Sequence, residues 1–369
     1  MLHSTVAAPQ RIILAGVDTG ADRDVFQIEM DELEALARAA GGDVVARCVQ
    51  RRQAIDPATL VGHGKAEEIA ELARDTDAEL VVTLNALRPR QRAALEKSLG
   101  DVAVMDRSVL ILDIFARHAR TSEGKLQVEL AQLRHRAANL IGARDALSRL
   151  GGGIGTRGPG ETKLEIDRRR IRLRITHLEA QLELVRKRRA EQRRSRAGTP
   201  VVALVGYTNA GKSSLLNALS GADVLVADQP FATLDPTLRK VRLASDREAI
   251  VADTVGFISD LPKELVAAFR ATLEEVTSAT LLLHVIDASN AYWRRQRESV
   301  MSVLHDLGAD QKPVINVWNK IDRAAAGTGG ADLGDAGVLV SAKTGDGIQE
   351  LKSAVAARLS SLSTSASAS

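Results

Sequence analysis

Cysteine is almost absent from this sequence: Cys48 stands alone. An internal disulfide and a cysteine-cluster zinc site are thereby excluded, and a reducing compartment is expected. Aromatic residues make up only 2% of the chain, which argues against modules that stack single-stranded bases on aromatic platforms. No apolar run reaches the roughly 20 residues that span a bilayer. The opening stretch, MLHSTVAAPQR, has no apolar segment of the signal-peptide kind. The expectation is a cytoplasmic monomer without stable membrane insertion, a peripheral association with a membrane being compatible. His63, His118 and His135 show no metal-ligand spacing.

A strong overall charge is lacking too. The net charge is +3, but it is unevenly spread: 13 Lys/Arg face 6 Asp/Glu between Glu161 and Arg196. A local positive excess is the footprint of RNA or another phosphate-rich partner, and equally of a solvated helical face. At 369 residues the chain has room for two or three domains with cores of their own.

What is present centres on VVALVGYTNAGKSS, Val201 to Ser214. Val201 to Val205 reads as a buried parallel strand and Ser214 to Leu219 as a helix. Between them lies G-x-x-x-x-G-K-S: Gly206, Tyr207, Thr208, Asn209, Ala210, Gly211, Lys212, Ser213. Strand, glycine loop and helix in this order form a phosphate cradle. Lys212 is placed to reach the β- and γ-phosphates, and the Ser213 hydroxyl to ligate Mg²⁺. Asn209 is a candidate to seat K⁺ beside the phosphates.

Downstream, Phe231-Ala232-Thr233-Leu234-Asp235 lies in a stretch with little helical periodicity. A threonine there completes Mg²⁺ coordination when the γ-phosphate is present; Thr233 is preferred to Thr237. Strands at Thr237 to Leu243 and Ala249 to Ala252 lead into Asp253-Thr254-Val255-Gly256. There the carboxylate can hold the Mg²⁺ shell and the Gly256 N–H can meet the γ-phosphate. A strand at Val314 to Trp318 ends in Asn319-Lys320-Ile321-Asp322. Asp322 can accept the N1–H and 2-amino hydrogens of guanine, and adenine offers no matching donors. Ser341-Ala342-Lys343 follows a strand at Gly337 to Val340, where backbone groups can meet the base. The substrate is therefore GTP. Phe257 stands where Ras-like GTPases carry a water-orienting glutamine, so turnover is expected to be slow alone. No catalytic side chain is assigned; Lys212, Thr233 and Gly256 sense the phosphate.

Two further regions precede this one. From Arg11 to about Arg120, strands at Arg11–Val17, Asp43–Val49, Glu79–Thr83 and Val102–Met105 alternate with helices at Glu29–Ala40, Lys65–Arg74, Pro89–Leu99 and Ser108–His118. This is the pattern of a small parallel sheet covered by helices. Gly62-His63-Gly64-Lys65 could hold an anion at a helix start, but lacks the phosphate-loop spacing, and a turn and helix cap fits better.

From Gly124, apolar residues recur at heptad spacing on two consecutive helices: Leu126, Leu130, Leu133, Ala137, Leu140, Leu147, then Leu164, Ile171, Ile175, Leu178, Leu182, Val185. A short connection makes them an antiparallel hairpin. That connection holds Gly151, Gly152, Gly153, Gly155, Gly158 and Gly160 with Arg157, far more glycine than a chain reversal needs. Arg168, Arg169 and Arg170 lie just behind it, and an RNA-contacting tip is expected.

The expected architecture is α/β throughout: an N-terminal parallel α/β domain (11–120), the hairpin (121–197) with its glycine loop (151–160), and a GTPase domain with a doubly wound, mostly parallel sheet (198–362). The final SSLSTSASAS reads as a disordered tail, residues 363–369.

The runs GKLQVELAQL and GGGIGTRGPGETKLEIDRRR, with GYTNAGKS, FATLD, DTVGF, NKID and SAK, resemble the HflX GTPases from about Arg11 to Leu362. The resemblance implies a translation-factor-related GTPase on the large ribosomal subunit, linked to splitting or rescuing stalled ribosomes or to ribosome biogenesis. It implies that the glycine loop is pushed toward ribosomal RNA. It also carries over GTP contacts at Gly206 to Ser213, Phe231 to Asp235, Asp253 to Gly256, Asn319 to Asp322 and Ser341 to Lys343, with Ser213 and Thr233 on Mg²⁺. Some members carry a further C-terminal domain. The alternative function is a GTP-gated RNA-binding or assembly scaffold that does not split ribosomes.

Overall fold

The computed structural model describes residues 9–20, 22–100, 102–148, 163–194, 199–221, 230–231, 233, 236–259, 273–324 and 337–367. The chain divides into two compact units. One holds residues 1–117 and 128–180, the other residues 118–127 and 181–369.

In the first unit, β1 (Gln10–Asp18), β2 (Gly42–Arg51), β3 (Leu80–Thr83) and β4 (Ala103–Asp106) form a sheet of order β2-β1-β3-β4, parallel throughout. Helices α1 (Arg23–Ala39), α2 (His63–Asp75), α3 (Pro89–Ser98) and α4 (Arg107–His118) alternate with the strands. Parallel strands need such crossovers, so the alternation in the sequence dictates the sheet.

Helix α1 begins six residues before the expected Glu29. Asp22 caps it, its Oδ1 accepting the N–H groups of Asp24 and Val25 at 2.9 and 3.4 Å. Phe26, Met30, Leu33 and Leu36 then form its buried stripe. Helix α2 starts with Gly62 at its N-cap, whose own N–H donates to Gln50 Oε1 at 2.8 Å. The Gly-His-Gly-Lys run is therefore a strand-tied helix start.

Helices α5 (Ser122–Ser148) and α6 (Lys163–Arg194) carry the heptad pattern. On α6 the apolar positions Leu178 and Leu182 are buried, while Arg169, Arg170 and Arg172 are exposed. Ion pairs Arg134–Glu179 and Arg174–Glu129, both at 2.7 Å, tie the two helices within the first unit. The glycine loop Gly151 to Gly160, with Arg157, lies outside the described residues.

In the second unit, β5 (Val201–Gly206), β6 (Thr237–Arg242), β7 (Glu248–Asp253), β8 (Leu281–Asp287), β9 (Val314–Asn319) and β10 (Gly337–Leu339) form a sheet of order β10-β9-β8-β5-β7-β6. Only edge strand β6 runs antiparallel. Around it lie α7 (Lys212–Ser220), α8 (Glu274–Ser278), α9 (Trp293–Asp306) and α10 (Ile348–Ser367). Val202, Leu204, Leu215, Leu283, Val317, Leu351 and Val355 make one core between sheet and helices.

Helix α10 corrects the expected tail from Ser363: it continues to Ser367. Ser and Thr hydroxyls bond back to carbonyls of the preceding turn, Ser363 and Thr364 both to Ser360 O at 2.8 and 3.0 Å, which satisfies groups that would otherwise favour a turn.

Candidate functional site

In an open parallel sheet, ligands sit beyond the carboxyl ends of the strands. Here the loops after β5, β7, β9 and β10 gather at that edge around a cavity of about 280 Å³. Its lining includes Thr208, Asn209, Gly211, Lys212 and Ser213 from the first loop, Gly256, Asn319, Lys320, Asp322, Ala342 and Lys343 from the others, and Thr233 from the segment before β6.

The glycine loop closes because two of its residues take left-handed backbone, Asn209 (φ 59°) and Gly211 (φ 91°). Asparagine tolerates that region; at Gly211 a Cβ would also run into the Asn319 amide. Lys212 is buried, and its Nζ donates to the carbonyls of Gly206 (3.1 Å) and Tyr207 (2.8 Å). Burial lowers its pKa to about 8, against the pull of Asp253. A buried cation held by two neutral carbonyls at the wall of the cavity is poised for an anion.

Below the loop, Ser213, Thr233 and Asp253 meet. Both hydroxyls donate to Asp253 Oδ2, at 2.6 Å from Ser213 and 3.0 Å from Thr233, and they lie 2.8 Å apart. Asp253 Oδ1 is buried without a hydrogen-bond partner among the described residues. Burial raises the Asp253 pKa, opposed by the bond from Ser213 and by Lys212. Two hydroxyls and a carboxylate with an orphaned oxygen are the hard-oxygen donors Mg²⁺ takes. Thr237 instead lies on β6, in register with Asp253.

At the other end, Asn319 bridges two loops: its Nδ2 donates to Ala210 O at 2.9 Å, and its Oδ1 accepts the Ala342 N–H at 3.0 Å. Lys320 donates to Asn209 O and pairs with Asp287, both at 2.7 Å. Asp322 Oδ1 accepts the Ser341 hydroxyl at 2.7 Å, which holds its carboxyl below the usual range and keeps it an acceptor.

Three family models cover the chain in succession. They are described as GTP-binding GTPase N-terminal (residues 27–116), GTP-binding GTPase Middle Region (118–196) and 50S ribosome-binding GTPase (201–320). GTPase HflX of Lacrimispora saccharolytica is 49% identical over 93% of this chain and 81% of its own length. GTPase HflX of Escherichia coli is 47% identical over 96% and 84%. The chain belongs to the HflX GTPase family. A solved complex of SsGBP with GDP has the same fold: 23% identity, 93% of this chain and 96% of that one, TM-score 0.51.

As an HflX-family GTPase the protein binds guanine nucleotides and hydrolyses GTP, and its sequence motifs fall into three groups in space. Thr208, Asn209, Gly211, Lys212, Ser213, Phe231, Thr233, Thr254, Gly256, Asn319, Lys320, Asp322, Ala342 and Lys343 line the cavity, with Asp253 bonded beneath it. Thr254 also braces the cavity from behind, as do residues outside its lining. The Thr254 hydroxyl donates to Leu204 O at 2.6 Å, the Tyr207 phenol accepts the Ser259 N–H at 2.9 Å, and Ile321 packs on Trp318. Ser341 acts through Asp322. Val255 is buried, and so is Phe257, at 1% exposure. Ala232, Leu234 and Asp235 lie outside the described residues.

Sequence reasoning passed over Ser214 and Arg323, which also line the cavity, and Asp287, the partner of Lys320. Asp287 ends β8, a run of LLLHVID whose apolar character and terminal aspartate mirror Glu248–Asp253. That signal was available.

Proposed function

We propose that this HflX-family GTPase works as a Mg²⁺-dependent, GTP-gated factor on the large ribosomal subunit, where it splits or rescues stalled ribosomes or serves ribosome biogenesis. The observation that carries the nucleotide chemistry is the convergence of the phosphate loop, the Ser213–Thr233–Asp253 cluster and Asp322 on one cavity. The loop N–H groups cradle the phosphates, and Lys212 exchanges the Gly206 and Tyr207 carbonyls for phosphate oxygens. Ser213 and Thr233, with Asp253 bonded to both hydroxyls, would hold Mg²⁺, which would supply charge neutralisation to the phosphates. The Asp322 carboxylate takes the guanine N1–H and 2-amino hydrogens. Asn319 holds the phosphate loop and the Ser341–Lys343 loop together, and backbone groups of the latter meet the base.

With Phe257 buried, no side chain at that position can orient water, so hydrolysis is slow until a partner completes the site. K⁺ beside Asn209 is part of the same reading, and equal turnover in K⁺ and Na⁺ would remove it. The ribosomal role is supported by the 50S ribosome-binding GTPase match and by the basic face of α6 at Arg168, Arg169 and Arg170, with Arg157 and the glycine loop as the RNA-contacting tip. Large subunits are expected to raise GTP turnover strongly and to cosediment with the protein loaded with a nonhydrolysable GTP analogue more than with GDP. Separation of subunits in a sucrose gradient supports splitting. Tight binding with neither stimulation nor separation would favour the scaffold.

A further inference from the structure

Phe231 is an anomaly. It has left-handed backbone (φ 59°), rare for a bulky residue, and the residue is only 2% exposed. Its N–H donates to the Thr208 hydroxyl at 3.2 Å. Thr208 also engages the segment after β7. Its own N–H donates to Phe257 O at 2.6 Å, inside a parallel bridge of Tyr207 with Phe257 that Phe257 N completes on Gly206 O at 3.1 Å. Gly256 packs so closely that a Cβ there would fall 2.8 Å from Thr208 Cα. One residue of the phosphate loop thus touches both later segments.

Thr233 lies two residues beyond Phe231, a reach of about 7 Å at most. Seating Phe231 therefore confines where the Thr233 hydroxyl can be. We propose that Thr208 is a positioning residue: its hydroxyl latches Phe231 and its N–H latches Phe257, so that Thr233 and Gly256 are presented to Mg²⁺ and the γ-phosphate together. The proposal rests on the reading of Thr233 as a magnesium ligand. Thr208 acts in it through Thr233 and Gly256, and the hydroxyl is the part a substitution can isolate.

Thr208→Val keeps the shape and removes the hydroxyl; Thr208→Ser keeps the hydroxyl. GTP turnover is measured against Mg²⁺ concentration, and GDP affinity by titration, on the full chain. Thr208→Val is expected to lower kcat and to raise the Mg²⁺ needed for half-maximal rate, each about five- to tenfold, the scale of one hydrogen bond. GDP, which has no γ-phosphate, should lose less affinity than kcat loses rate, and Thr208→Ser should restore both kinetic parameters. Thr233→Ala is expected to shift the Mg²⁺ dependence further, and adding Thr208→Val to it should cost nothing more. Unchanged Mg²⁺ dependence in Thr208→Val while Thr233→Ala is impaired overturns the latch alone, as does a Thr208→Ser variant as poor as Thr208→Val. An unimpaired Thr233→Ala removes the metal reading, and the latch falls with it.

Discussion

The described residues contain one parallel sheet and one mostly parallel sheet, and their carboxyl edges differ. In the four-stranded sheet the order reverses at β1 and β3, where a ligand crevice is expected. Asn85 closes that point, its Oδ1 accepting the Val17 N–H at 2.8 Å and its Nδ2 donating to Val17 O at 3.2 Å. Asp18, at the end of β1, is satisfied by the Gly20 N–H at 2.8 Å. At the corresponding edge of the six-stranded sheet, Asp253 keeps an orphaned oxygen and Lys212 holds only loop carbonyls. At the switch point between β1 and β3 the first unit supplies its own partner, Asn85, whereas the corresponding edge of the six-stranded sheet leaves a carboxylate oxygen and a lysine for a ligand. Buried polar groups that the protein does not satisfy mark where a ligand must.

The contrast is broken most severely by Lys212→Ala, which removes the buried cation. GTP kcat/KM should fall about 1,000-fold, as for loss of a preorganised charge in a dry site, measured by phosphate release. Next is Asp322→Ala: losing two charge-assisted bonds to guanine should weaken GTP binding about 100-fold or more and abolish the preference over ATP. Titration calorimetry with both nucleotides reads this.

Acid sharpens the comparison, because the strands of the six-stranded sheet bury a histidine and those of the other do not. Burial, helped by Arg297 and Lys212, lowers the His284 pKa from 6.5 to about 4. Between these values the unfolded chain binds the proton and the folded one does not, so stability is lost as pH falls from 6.5 toward 4. His284 accounts for on the order of 3 kcal/mol of that loss. His284→Leu should flatten the pH dependence of the denaturation midpoint by that amount.

Asn85→Ala is the mildest. It strands the Val17 N–H and C=O in a buried strand and should cost about 1–3 kcal/mol, seen as a lower urea midpoint, with GTP kcat unchanged. A nucleotide effect as large as the stability effect would undo the distinction between the two edges.

Much of this was legible in the sequence. Strand-loop-helix order around Gly206 to Ser213, and a carboxylate or amide at the ends of Glu248–Asp253 and Val314–Asn319, place the site because strand ends gather at one edge. Position along the chain favoured Thr233 over Thr237, and the structure brings the Thr233 hydroxyl to Asp253 while Thr237 lies in β6. The Asn85 plug and the Thr208 latch were illegible, since each depends on backbone groups 68 and 23 residues away. Helix α10 outran its serine-rich composition because hydroxyls can serve the helix as well as the turn. The early start of α1 was readable from Asp22, a capping residue ahead of the apolar stripe.

The central claim is that the edge of the six-stranded sheet is a guanine and magnesium site. The direct test is nucleotide titration with and without Mg²⁺, followed by the fluorescence of Trp293 and Trp318, the only two tryptophans, whose rings meet edge-on at 4.9 Å beside Asn319. GTP should bind at least about 100-fold more tightly than ATP, and removing Mg²⁺ should weaken GTP more than GDP. Equal affinity for ATP and GTP, or GTP binding indifferent to Mg²⁺, would contradict the central claim.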